Sequence, residues 1–457
     1  MLLDRIERHD KALGLVVTLD ERALSRAAEA DEATVRGGPL GPFHGVSMTV
    51  KDCFATAGLR TTGGAEALAS YVPRQDADVV AAARRAGCIV FGKTNLPRNS
   101  TDVQAYNDLF GVARNPWRPE FSPGGSSGGA AGAVAAGFSP LELGSDVAGS
   151  IRIPAAHCGV FAHKPSFGVV PAYGHVPPLP FAHTTSDITA VGPFARSVAD
   201  LEQLLEAVAG PHSWDSAAWR LTLPPARPVR RVAAWFDDPY CPVDAEVQRA
   251  LRYAAGLLSD SGVLVEEAAP PGIRLEASDR VFRRLLAPVA YGDYSARRIE
   301  DIADGSGQAG SELGAGHVAQ SHRAWAEAGE QRARMRLLWQ SFFAGHDAIL
   351  LPVAPTTAIP HDHRPFPERR IVVGGEERPY WDQIVWAGLT GVSYLPTTVV
   401  PVCRDSRGLP VGIAVCGPYL ADRTTLALAG ALARLLPPLG RPPSPTPSLA
   451  GADARTP

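Results

Sequence analysis

No two of the six cysteines in this 457-residue chain form a CxxC pair, which argues against a zinc site and against the disulfide framework of a small secreted domain. Cys53, Cys88, Cys158, Cys241, Cys403 and Cys416 are scattered and read as small core residues. An excess of charge of one sign is also lacking. Lysine and arginine number 44 against 47 acids, a formal charge of −3, so nothing draws the chain globally toward nucleic acid or an anionic membrane. No run approaches the roughly 18 apolar residues of a membrane-spanning helix, and charges at Asp4, Arg5, Glu7 and Arg8 interrupt any signal-peptide core. The expectation is a cytoplasmic protein that handles a small or peptide-like molecule, with no nucleic-acid partner and no membrane. Its 45% hydrophobic content is ample for a large core.

What is present begins with an alternation of strands and helices. Val46, Met48 and Val50 share one face of a short strand, Asp76 to Gly87 reads as a helix, and Cys88 to Phe91 as a second strand, an order that predicts a parallel crossover. Val229–Phe236, Val243–Gly262 and Val263–Val265 repeat it. Ser197-Val198-Ala199-Asp200 has the form of a capping box ahead of the periodic Leu201, Leu204, Leu205 and Val208. Ala348–Val353, Thr397–Val402 and Val411–Val415 read as buried strands, and Asp422–Leu436 as a closing helix. The fold class is therefore α/β: a single large domain over residues 1–436, with a mixed, mostly parallel sheet covered by helices. Gly305–His317 reads as an exposed loop near an active-site entrance. Residues 437–457 hold seven prolines among small polar residues and read as a disordered tail.

The chemistry concentrates in Ser122-Pro123-Gly124-Gly125-Ser126-Ser127-Gly128-Gly129, a small-residue run to Gly137, and Gly144-Ser145-Asp146-Val147-Ala148-Gly149-Ser150-Ile151-Arg152-Ile153-Pro154. Glycines in such number lose much backbone entropy on folding and call for close backbone approach, here to a ligand. A phosphate-binding loop would place Lys and then Ser or Thr after the last glycine, where this chain has Ala130-Ala131. A nucleophile elbow at Gly124–Gly128 would follow a buried strand, yet three prolines lie in the preceding Asn115–Pro123.

Taken with Val50-Lys51-Asp52, the two segments resemble the amidase signature family. Its mark is a GGSSGG segment, a second serine 24 residues on in a G-S-I-R-x-P context, and an upstream lysine at a strand end. Ser126 and Ser150 stand 24 residues apart, and all three elements occur in order. Gly92-Lys93-Thr94-Asn95-Leu96, Cys158-Gly159-Val160-Phe161 with Lys164-Pro165, Gly192–Asp200, and Leu409–Ile413 with Gly417-Pro418 resemble further family signposts. The likeness thus covers roughly residues 1–436.

The resemblance implies an α/β/α domain around a large mixed sheet and cleavage of a small carboxamide to a carboxylate plus ammonia or an amine, without metal or cofactor. By motif, Ser150 is the nucleophile, Ser126 the bridging serine with a cis peptide, and Lys51 the base. Lysine serves as a base only when neutral, which means lowering its pKa from about 10.4 to near 7 by burial. The backbone N–H groups of Val147, Ala148, Gly149 and Ser150 are the implied oxyanion hole. Asp146 and Arg152 brace the loop, and Ser127 bonds either Lys51 or the local backbone. Lys93 and Asn95 stand behind the site or are structural. His157 and His163 are read as structural, because no orienting acid lies at a recognisable spacing.

Three departures accompany the match. Ala148 stands where the family has glycine, setting a methyl beside the oxyanion pocket. Leu2–Arg8 resembles the later part of the family's helical N-terminal segment, so the natural start is expected upstream or the helices are absent. Arg98 replaces a common glutamate. Acyl transfer to an amine, and a glutamine-dependent transamidating subunit with partner subunits and an ammonia channel, remain alternatives; the near-neutral charge weighs against the second. A non-enzymatic scaffold is opposed by the retained Lys51, Ser126 and Ser150. The partner expected is a small-molecule amide, and a homodimer is compatible with the reading.

Overall fold

In Ser47–Lys51 every residue after the first is buried, which suits a strand covered on both faces. The computed structural model describes residues 1–176, 184–290, 295–303 and 315–444. Among the described residues eleven strands form one sheet. They are β1 (Val16–Leu19), β2 (Ser47–Lys51), β3 (Ile89–Thr94), β4 (Leu141–Asp146), β5 (Phe161–Lys164), β6 (Ala190–Ala195), β7 (Arg231–Ala234), β8 (Leu264–Glu267), β9 (Ala348–Pro352), β10 (Thr397–Arg404) and β11 (Pro410–Cys416). Their spatial order is β1-β3-β2-β4-β6-β5-β10-β11-β9-β7-β8. The sheet is mixed. Parallel ladders form two wings, β3-β2-β4 and β9-β7-β8. Antiparallel pairings join them through the middle, and β1 closes one edge antiparallel to β3.

Both strand–helix–strand units read from the sequence are parallel crossovers: β2 to β3 through the helix Asp78–Arg85, and β7 to β8 through Ala245–Asp260. The helix Val198–Val208 starts as its capping box predicts, with Ser197 Oγ accepting from the Asp200 N–H and Leu201, Leu204, Leu205 and Val208 buried. The closing helix runs Asp422–Leu435. Near the start, helices Leu2–Leu13 and Ala23–Arg36 are both present, and their Ile6, Leu13, Ala23 and Ala30 join Leu15, Phe91 and Phe138 in a second core cluster. Of the expected loop Gly305–His317, residues 305–314 lie outside the described residues, as do 445–457 of the proline-rich segment. Within 437–444, Leu439 packs against Trp117, Phe121, Ala358 and Leu409.

Every residue of the helix Gly128–Ala135 but Ala135 is buried, and its small side chains let it sit hard against the start of the chain and the exit of β3. Gly129 donates its N–H to the Asn95 carbonyl at 3.0 Å. A Cβ there would overlap the backbone N and O of Asn95, atoms that cannot swing aside. Gly129→Ala is therefore expected to cost about 1–3 kcal/mol or more by overpacking. Gly256, exposed inside Ala245–Asp260 with open space where a Cβ would stand, is the control: Gly256→Ala should stabilise by about 0.5–1 kcal/mol. Chemical denaturation of both variants checks the opposite signs.

Candidate active site

Lys51 is the last residue of β2, and β2 lies between β3 and β4 with all three running in the same direction. Their carboxyl ends therefore open at one edge, where chains leave an α/β sheet and ligand-binding loops gather. Ser126 arrives on the segment ahead of the helix Gly128–Ala135, with a cis peptide between Gly125 and Ser126. Ser150 arrives in the turn between β4 and the helix Arg152–Cys158. The Ser127 N–H donates to the Ser150 carbonyl at 3.2 Å and fastens the two segments together. The glycines allow close approach, but to the protein's own chain rather than to a ligand: a Cβ at Gly125 would fall 2.7 Å from the backbone of Val103 and Gln104.

Lys51 is fully buried and touches hydroxyls, with Nζ 2.6 Å from Ser126 Oγ and 3.1 Å from Ser145 Oγ. Burial lowers its pKa to about 8, against the opposing pull of Cys53, Asp146 and Glu142. Lys93 on the neighbouring strand is a useful contrast. Burial takes it to about 8 as well, yet its amine donates to the Phe54 carbonyl, to Thr56 Oγ1 at 2.9 Å and to Thr61 Oγ1 at 3.3 Å. Thr56 Oγ1 donates its own proton to the Phe54 carbonyl at 3.0 Å and Thr61 Oγ1 to the Leu59 carbonyl at 3.1 Å, so none of these three partners has a proton to give Lys93. Ser126 Oγ has no other acceptor among the described residues, which leaves its proton able to pass to Lys51. Asn95 is tied into the framework through Nδ2 to the Gly14 carbonyl at 2.9 Å.

The turn carrying Ser150 is organised around Asp146. Its Oδ1 accepts from the Gly149 N–H at 2.9 Å, and its Oδ2 from the Ile151 N–H at 3.1 Å. Arg152 clamps the same carboxylate through Nε at 2.9 Å and Nη2 at 2.7 Å, and reaches the Ala387 carbonyl and Thr390 through Nη1. Burial alone would raise the Asp146 pKa, but the Arg152 charge and these hydrogen bonds outweigh it and hold it at about 2. Since the Gly149 N–H is taken, the backbone donors of this turn left to face the cavity as an oxyanion site are, as candidates, those of Val147, Ala148 and Ser150. Ser127 Oγ donates to the Ser145 carbonyl at 3.3 Å, which places it on the backbone rather than on Lys51.

A cavity of about 380 Å³ brings Ser126, Ser145, Val147, Ala148 and Ser150 to one surface, a size suited to a small ligand. Among the described residues the Ser150 hydroxyl has no hydrogen-bond partner, so it is open to a ligand while Lys51 stays engaged behind Ser126. Its lining also includes the apolar Leu286, Val289, Trp381 and Ile384, and polar residues such as Thr101, Thr185 and Thr189. Asp102 also lines it, with its carboxylate held by Arg369 Nη1 at 2.7 Å and the Tyr380 hydroxyl at 2.5 Å. Among the described residues, none lining the cavity is a lysine or arginine, and no cluster of three His, Cys, Asp or Glu is placed to hold a metal ion.

Sequence reasoning missed Ser145 and His175. Ser145 stands inside a motif already singled out, but its contact with Lys51 depends on β2 lying beside β4. His175, whose Nε2 is 2.9 Å from Ser145 Oγ, carried no signal. His163 does have an acid, Asp422, 3.1 Å from Nε2, and Thr398 Oγ1 at 2.8 Å from Nδ1. That array is completely buried and does not line the cavity. Burial lowers the His157 pKa to about 4, so it is a neutral core histidine.

The family model Amidase matches residues 1–426. The chain is 35% identical to a glutamyl-tRNA(Gln) amidotransferase subunit from Synechococcus sp. (strain CC9311), over 93% of this chain and 91% of that protein. Among solved structures it is similar to an amidase, with a TM-score of 0.80, 29% identity and 95% of each chain covered. It is also similar to a bacterial aryl acylamidase, with a TM-score of 0.81, 26% identity, and 95% of this chain and 91% of that one covered.

The Asp146–Arg152 clamp makes a pH-dependent contribution to stability. The folded carboxyl at about 2 lies below its ordinary 3.8, so its stabilisation is present above pH 3.8 and disappears as pH falls through about 2. The difference corresponds to about 2 kcal/mol. Comparing urea denaturation of the wild type and Asp146→Asn between pH 2 and 6 should show a gap that is largest at pH 6 and narrows toward pH 2. Arg152→Met, which strands a buried carboxylate, should cost about 3–5 kcal/mol at pH 7.

Proposed function

The chain belongs to the amidase signature family, and from that premise we propose that it hydrolyses an uncharged carboxamide through an ester formed on Ser150. The observation that carries the reading is the Lys51 amine, fully buried behind the cavity and 2.6 Å from Ser126 Oγ, which lines the cavity together with Ser150. A serine hydroxyl is a weak nucleophile at neutral pH and needs a base as the new bond forms. Ser150 Oγ attacks the amide carbon, its proton passes to Ser126 Oγ, and the Ser126 proton passes to Lys51 Nζ. The oxyanion is stabilised by N–H groups of Val147, Ala148 and Ser150. As the C–N bond breaks, Lys51 returns its proton to Ser126 and Ser126 gives one to the leaving nitrogen. Water then attacks the ester by the reverse route, freeing the carboxylate and Ser150. Catalytic hydrogen bonds in empty sites are often long and tighten when substrate fills them, so the Ser150-to-Ser126 transfer is assigned to the filled site.

The 35% identity to an amidotransferase subunit keeps glutamine as the second reading. Glutamine brings an α-carboxylate and an α-ammonium. Against it stand a described cavity lining without lysine or arginine, and an Asp102 already neutralised by Arg369. The apolar lining residues Leu286, Val289, Trp381 and Ile384 suit an aliphatic or aryl acyl group. A reducing, cytoplasmic setting goes with this reading and suits six unpaired cysteines.

A fluorophosphonate probe followed by peptide mapping should label Ser150; labelling confined to another residue would exclude it as nucleophile. Lys51→Ala is expected to lower kcat/KM by about 10²–10⁴. Because the neutral amine is the active form, kcat/KM of the wild type should rise with pH through about 8, the value that burial gives Lys51. A flat profile there would remove Lys51 as the base. In a panel of neutral aryl and aliphatic amides with glutamine, the neutral amides should be turned over at least about tenfold better, a difference of about 1.4 kcal/mol in transition-state binding. Preference for glutamine would reverse the choice between the two readings.

A further inference from the structure

We infer that His175 is a positioning residue that sets the direction of the hydrogen bonds around Lys51 and so aims the amine lone pair at Ser126. This rests on the proposed role of Lys51 as the base. A neutral lysine has two N–H donors and one lone pair, and it accepts a proton from Ser126 only if that lone pair faces Ser126 Oγ, 2.6 Å away. The other polar partner of Nζ is Ser145 Oγ at 3.1 Å. If Ser145 pointed its own proton at Lys51, the lone pair would be spent there. Ser145 must therefore accept from Lys51 and give its proton elsewhere.

Two groups lie within reach of that proton. Cys53 Sγ is 3.7 Å from Ser145 Oγ, and a thiol sulfur is a weak acceptor. His175 Nε2 is 2.9 Å away, and an imidazole carrying its proton on Nδ1 presents a good acceptor there. The chain then runs one way: Lys51 N–H to Ser145 Oγ, and Ser145 O–H to His175 Nε2. The backbone keeps His175 in place by fastening its loop to the residues that follow Lys51. The Ala55 N–H donates to the Gly174 carbonyl at 2.9 Å, and the Val176 N–H to the Cys53 carbonyl at 2.6 Å. Phe54 meets the imidazole edge to face at 5.5 Å. Ser145 and His175 both line the cavity with Ser126 and Ser150.

Three variants test this by steady-state kinetics on an amide substrate. His175→Phe keeps an aromatic ring against Phe54 but has no acceptor. It should lower kcat about tenfold or more while KM stays within about twofold, because substrate contacts are retained and the base is misdirected. His175→Gln, whose side-chain oxygen can accept from Ser145, should recover most of that loss. Ser145→Ala combined with His175→Phe should be no slower than the worse single variant, as two links of one chain are not additive. Wild-type kcat in His175→Phe, equal losses in Phe and Gln, or additive losses in the pair would overturn the inference while Lys51→Ala remains inactive in the same assay. An active Lys51→Ala would instead overturn the role of Lys51 and this inference with it. Melting temperatures of all variants separate loss of fold from loss of direction.

Discussion

An amine stripped of water and offered hydroxyl partners is the condition on which the proposed chemistry depends. Moving Lys51 from 10.5 to about 8 disfavours its charged form by about 3 kcal/mol. Such a penalty persists only in a frame that cannot relax to let water in. The frame here is the β3-β2-β4 wing, whose three parallel strands end together with Lys51 at full burial between them. Glu142 on β4, raised to about 8 by burial, exerts the weakest of the three pulls that oppose burial at Lys51. Asp146 keeps its charge because Arg152 takes up both carboxylate oxygens. A fixed charge thereby sits in the turn that carries Ser150, tied down by Arg152.

The sequence made the wings legible because their cues are local. Alternation at Val46, Met48 and Val50, the helix read over Asp76–Gly87 and a capping box at Ser197 each concern neighbours along the chain, and each corresponds to an element of the structure. Lys51, Ser126 and Ser150 were legible as a set because their glycine context and 24-residue spacing are also local features. Contacts across long separations were not. Ser145 meets Lys51 across 94 residues and Asp102 meets Arg369 across 267. The acid beside His163 lies 259 residues away, so a spacing rule could not find it. The glycines were half legible: close approach was correctly required, but the approaching surface is the protein's own backbone.

Comparing Lys51 with Lys93 shows why burial alone does not identify a base. Both stand on adjacent strands, both are fully buried, and burial lowers both to about 8. What separates them is whether their partners can reverse roles. Lys93 meets a carbonyl and two hydroxyls that already donate to carbonyls, whereas Lys51 meets Ser126, whose proton the proposed reaction passes to it. The distinction lies in hydrogen-bond directionality, which no composition or periodicity encodes and which depends on how segments distant in the chain are brought together.

The seam that Gly125 and Gly129 form against the main chain of Val103, Gln104 and Asn95 has an evolutionary consequence. Main-chain contacts cannot be retouched by changing one amino acid at a time, so the half of the site proposed to move protons is locked against gradual drift. Leu286, Val289, Trp381 and Ile384 line the cavity and do not take part in that seam. A scaffold divided in this way can acquire new substrates by mutation on one wall while inheriting its reaction unchanged on the other.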